Sequence, residues 1–155
     1  MSETGAPPDS GAGPETAPAV APPEMEVTFF GAANSDKATF YQPTAKQLEF
    51  HAAGATARER LFLAGNQLGK TTAGAFELAY HLTGRYPDWW EGRRFEGPVV
   101  AWTAGVTAES TRDNPQRLLL GRLGAEGSGA IPRECILETE TARGVAGAID
   151  QVRIR

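Results

Sequence analysis

Residues 64–71 read AGNQLGKT, which matches the phosphate-cradling pattern G-x-x-x-x-G-K-[ST] with Ala64 in the place of the first glycine. The chemistry follows from the residue types. Small residues let the backbone N–H groups of Gly65, Asn66, Gln67, Leu68 and Gly69 approach phosphate oxygens closely. A helix opening at Lys70 adds the positive end of its dipole and its unpaired N–H donors. Lys70 can bring a cation to β- and γ-phosphates, and the Thr71 hydroxyl is a ligand for Mg2+. The competing reading is a glycine turn beside a solvated lysine. An apolar run before the turn and a helical stretch after it favour the cradle.

Those flanking elements can be read from the chain. Residues 60–64 (RLFLA) form a compact apolar run, predicted as a buried strand. Residues 70–82 (KTTAGAFELAYHL) have helical spacing, with Ala73, Phe76 and Tyr80 on one stripe and Gly84 placed to end the helix. Upstream, 44–54 (TAKQLEFHAAG) predicts a short helix with Thr44 as its N-cap, Leu48 and Ala52 on one face, and Gly54 at its end. Downstream, 98–104 (PVVAWTA) predicts a second strand, and 107–121 a helical stretch that Pro115 must kink or split. Residues 135–139 and 148–155 flank a glycine-bearing turn and read as a hairpin. The order predicts an α/β domain with a largely parallel sheet.

Composition narrows the setting. The chain has 155 residues and a net charge of −4, but the charge is uneven. Residues 1–36 hold six acids, no Lys or Arg, and six of the eleven prolines. Such a segment has little to bury against its ordering entropy, and a disordered Pro-rich tail over 1–38 is predicted, with a folded unit over 39–155. The acidic balance belongs to that tail and does not argue against a nucleic-acid partner for the rest. No apolar stretch approaches the length a bilayer helix needs, and no secretory leader is visible, so no membrane is predicted as a partner. The one cysteine, Cys135, excludes an internal disulfide, and two histidines, His51 and His81, make a histidine metal site improbable.

Residues 40–71 (FYQPTAKQLEFHAAGATARERLFLAGNQLGKT), together with HLTGRYPDWWEGRRF and AGVTAESTRDNPQRLLLG downstream, resemble the N-terminal ATPase region of phage terminase large subunits. The resemblance covers about residues 39–155. It implies an incomplete P-loop NTPase fold, RecA-like, that binds ATP with Mg2+ in a motor driving double-stranded DNA into a capsid. It implies as partners the terminase small subunit, the portal protein and other copies of the motor subunit. It places the chain in the cytoplasm of a bacterial host, transiently at the portal vertex of a procapsid. Lys70 carries the catalytic role under this reading. Gln47, after Pro43, falls where such proteins contact adenine, and its amide can donate to and accept from the base edge. Without the resemblance, Gln47 reads as a polar helix residue.

Such an ATPase also needs an acidic strand, and no apolar run ending in paired acids is present. The expectation is therefore a truncated terminase, lacking that strand and the nuclease domain, with little ATP hydrolysis of its own. Two alternatives remain open: a decayed, inactive prophage remnant, or another P-loop nucleotide-binding enzyme. In the loop 86–95 (YPDWWEGRRF), Trp89 and Trp90 read as pinning the loop against the sheet more than as DNA contacts, with Arg93 and Arg94 solvated or paired to Asp88 and Glu91. Arg112 and Arg117 read as a solvated helix face. Glu138 and Glu140 suit a solvent-facing edge as well as acid–base work, Cys135 reads as a small buried residue, and His51 has no partner legible in sequence.

Overall fold

The computed structural model describes residues 37–155, and the predicted tail lies outside the described residues except at its end. Lys37 and Ala38, expected with the tail, begin a four-residue helix α1 (Lys37–Phe40). Tyr80 Oη donates to the Ala38 carbonyl at 3.0 Å and ties that turn down.

Helix α2 (Ala45–Ala53) starts where predicted. Thr44 is extended, and its N–H is accepted by Gln47 Oε1 at 2.8 Å, one half of a capping box. The buried residues of α2 are Gln47 and His51, both polar, while Leu48 is 39% exposed. Its docking face thus differs from the Leu48/Ala52 face. Helix α3 (Lys70–Thr83) is the central element. Gly84 ends it in the left-handed region at φ +68°, donating to the Tyr80 carbonyl at 2.9 Å.

Helix α3 is buried on two sides. Ala75 and Ala79, one turn apart, pack with Leu119, Leu120, Ile131 and Ile136 in the main apolar cluster. The other side meets aromatic rings: Tyr41 stacks on Phe76 with centroids 4.3 Å apart, and Trp90 lies 5.4 Å from Tyr80.

The predicted helix over 107–121 runs as α4 (Ala108–Thr111), a wide π-turn (Arg112–Gln116) and α5 (Arg117–Leu120). Thr107 caps it through reciprocal bonds with Ser110 of 2.9 and 3.1 Å. Pro115 is absorbed by the π-turn, in which the Arg117 N–H reaches back to the Arg112 carbonyl. The chain then forms a small ribbon, β1 (Gly121–Arg122) with β2 (Ala125–Glu126), a 3₁₀ turn (Arg133–Cys135), and the predicted hairpin, β3 (Ile136–Thr141) with β4 (Ile149–Ile154).

Among the described residues the sheets are two antiparallel ribbons, with no parallel strand pair. The expected α/β architecture, a RecA-like P-loop NTPase fold with a largely parallel sheet, is thereby overturned. Residues 60–65 and 98–105 run without ladder partners. Leu61 and Leu63 are each 80% exposed, and Val100 and Trp102 are 92% and 93% exposed. The physical reason is that an apolar run specifies burial but not a partner. A buried parallel strand needs neighbours and covered faces that these segments do not have.

Candidate functional site

The loop 64–69 joins the extended segment after Arg60 to the first turn of α3. Its backbone alternates in hand: Gln67 has φ +62° and Gly69 has φ +73°, with Leu68 between them at negative φ. Alternation of this kind is the geometry of anion-binding nests. Gly69 is the N-cap of α3, so Lys70 is the first helical residue and the free N–H groups of the first turn open beside the loop. Gln67, Leu68, Gly69, Lys70, Thr71 and Thr72 line a concavity of about 240 Å³.

Lys70 folds back over this loop. Its Nζ donates to the carbonyls of Ala64 at 2.7 Å and Gly65 at 2.6 Å. The ammonium therefore sits across the loop, held by groups at its surface. Ala64, Gly65, Asn66, Gln67 and Leu68 are exposed, as is Thr71, whose hydroxyl stands at the start of α3.

Gln47 reaches the same loop from α2. Its Nε2 donates to the Gly69 carbonyl at 3.2 Å while its Oε1 accepts from Thr44. One N–H and one lone pair of that amide stay unused by these bonds. A side chain at Gly69 would meet Gln47 at once, because an added Cβ would lie 2.7 Å from Nε2. Position 69 thus needs glycine for its φ and for the close approach.

Below the loop lies a buried charged cluster. His51 Nδ1 is 2.7 Å from Glu77 Oε2, and Arg60 binds both Glu77 oxygens, Nη1 at 3.2 Å and Nη2 closer. His81 Nε2 stands 3.6 Å from Glu77, one turn along α3. A carboxylate can only accept, so His51 donates through Nδ1 and faces the Tyr41 hydroxyl, 3.3 Å away, with Nε2. Burial alone would raise the Glu77 pKa; hydrogen bonds from His51, His81 and Arg60 outweigh it and hold the carboxyl far below its ordinary 4.5. Tyr41 is pushed up to about 12 by burial and by the Glu77 charge, so its hydroxyl keeps its proton.

Sequence reading did not single out Glu77 or Arg60, and it left His51 without a partner. A signal was present: Glu77 is the one acid in the run KTTAGAFELAYHL, four residues before His81. Other residues fall as follows. Trp90 is 4% exposed, with Nε1 donating to the Arg93 carbonyl at 3.1 Å; it packs, but against Tyr80 and His81 of α3 and His51 of α2 and not against a sheet. Arg93 and Arg94 lie over the rings of Phe95 and Tyr86, at 5.3 and 5.2 Å. Arg112 pairs with its neighbour Asp113 and donates to the Ala146 carbonyl. Glu138 faces Arg153 across the hairpin at 3.2 Å, both exposed, and Cys135 is buried.

Among the described residues no group of three or more His, Cys, Asp or Glu gathers as a metal site, and no helix is long and apolar enough to cross a membrane.

Comparison with known proteins gives the loop its setting. The family described as terminase large subunit, T4likevirus-type, N-terminal, matches residues 61–150, a span that includes the loop and all of α3. The chain is 39% identical over 130 residues to the terminase large subunit of Salmonella phage P22, across 74% of this chain and 26% of that protein. It spans about a quarter of the length of this relative. No solved structure matches. A family match over more than half the chain, joined to an extended identity with a phage protein of that description, makes this chain a member of the terminase large subunit family.

Proposed function

We propose that this chain supplies the nucleotide-binding part of a viral DNA-packaging motor, with residues 64–71 holding the polyphosphate of ATP. The observation that supports it most is the loop itself: residues of alternating hand lead into a helix whose first residue is a lysine folded over the turn. In this reading the amides of Gly65, Asn66, Gln67, Leu68 and Gly69 receive phosphate oxygens, and Lys70 exchanges its two carbonyl partners for the β- and γ-phosphates. That exchange is local, since both carbonyls lie at the loop's exposed surface. Lys70 then stabilises charge on the transferred group, its catalytic role. Thr71 supplies a hydroxyl ligand to Mg2+, which neutralises phosphate charge when bound. Gln47 presents its spare N–H and lone pair to adenine.

Membership of the terminase family extends the reading to double-stranded DNA as the cargo, with the small subunit, the portal protein and further motor copies as partners. The site of action would be the host cytoplasm and, transiently, the procapsid portal vertex. Isothermal titration with Mg-ATP tests the core of it. The wild-type chain should bind, and Lys70→Ala should bind about tenfold or more weakly, the worth of a charge-assisted hydrogen bond. Absence of binding by the wild type at millimolar Mg-ATP would remove the proposal.

A further inference from the structure

The loop is bordered by three elements, and one buried carboxylate touches all of them. Upstream, Arg60 stands at the start of the segment that enters the loop, and its guanidinium grips both oxygens of Glu77. Downstream, Glu77 belongs to α3, which begins at Lys70. From the side, His51 of α2 donates to Glu77 at 2.7 Å. His51 lies one turn after Gln47, and these are the two buried residues of α2. So α2 docks on α3 by two polar contacts, Gln47 on Gly69 and His51 on Glu77.

This way of docking has a consequence for position. Apolar contact tolerates sliding, whereas a hydrogen bond weakens steeply as its angle and distance depart from ideal. Leu48 is 39% exposed and offers α2 little apolar anchorage on α3, while Phe50 stacks on Phe62 of the entering segment with centroids 4.7 Å apart. Against α3 itself, the His51–Glu77 contact therefore sets where α2 sits, and with it where the Gln47 amide meets Gly69. Arg60 Nη1 also donates to the Phe50 carbonyl at 2.7 Å, so the entering segment is tied to α2 beside His51.

We propose that Glu77 and His51 are positioning residues for the phosphate loop, His51 acting through Gln47 and Glu77 through His51 and Arg60, and neither touching a ligand itself. The nucleotide consequence rests on the reading above; the effect on loop conformation does not. Hydrogen exchange at the end of the loop, read in the ligand-free protein on the Ala73 amide that donates at 2.9 Å to the same Gly69 carbonyl Gln47 binds, tests it directly. His51→Leu removes the donor at similar volume, whereas His51→Asn retains a donor near the Nδ1 position. We expect His51→Leu to speed loop exchange about tenfold, as for loss of a bond to a charged group. His51→Asn should restore much of the protection. In a Gln47→Ala background His51→Leu should add little, because the path through Gln47 is already cut.

The nucleotide arm measures Mg-ATP affinity in the same set and expects the same pattern. Wild-type loop exchange in a folded His51→Leu protein overturns the proposal, as does full additivity of His51→Leu with Gln47→Ala. If His51→Leu does not fold, Glu77→Gln decides: faster loop exchange supports the proposal, and unchanged exchange overturns it. A wild type that binds no nucleotide, yet shows the coupled exchange pattern, leaves the positioning proposal standing and removes only the nucleotide reading.

Discussion

Gln47 Nε2 donates to the carbonyl of Gly69 at 3.2 Å across 22 residues of chain, joining α2 to the loop that opens α3. Gly69 has φ +73°, and the same amide fills the space a Cβ would need. Gly69→Ala should therefore lose about 1–2 kcal/mol from the left-handed backbone alone, with more from the contact. Chemical denaturation measures the stability, and titration with Mg-ATP should show weakened binding. An alanine variant as stable as the wild type would mean that residue 69 is free to leave this conformation.

Lys70→Ala should behave in the opposite manner. The carbonyls that Lys70 binds belong to exposed Ala64 and Gly65, so water can replace the ammonium. Its effect on stability should stay within about 0.5 kcal/mol, as for other exposed positions. Parallel melting and binding curves would separate the two: a Tm near the wild type, with Mg-ATP affinity lost.

Acid should destabilise the fold through Glu77. Its carboxyl is held far below 4.5 in the folded chain and returns toward 4.5 on unfolding. The unfolded state thus takes up the proton first. The stabilisation is complete above about pH 4.5 and is lost progressively as the pH falls below it. Urea midpoints measured from pH 7 to pH 3 should fall on the acid side. Glu77→Gln should be less stable at pH 7 and flatter across that range. An unchanged acid slope in that variant would assign the loss to other carboxylates.

Two tryptophans should report opposite environments. Trp90, 4% exposed among Tyr80, His51 and His81, should cost about 3–5 kcal/mol when replaced by alanine. Trp102, 93% exposed, should be replaceable at little cost and be the one readily quenched by iodide. Single-tryptophan fluorescence and unfolding curves check both, and a shielded Trp102 would contradict its exposed position.

The sequence by itself determined what short range can determine. The helix over 70–82 was legible because its end, Gly84, and its apolar spacing are local, and the structure runs it as Lys70–Thr83. The hairpin was legible because period-two residues flank a glycine turn. Tertiary structure alone decided which segments pair and which polar groups meet. Residues 60–64 and 98–104 look like strands in composition, yet a ladder is a relation between segments that composition does not encode. His51, whose partner the sequence does not show, lies 26 residues from Glu77, and the two become a buried pair only when α2 folds onto α3. Burial makes such a pair matter: an unpartnered charge there would cost several kcal/mol, so the packing that removes water also dictates the partner.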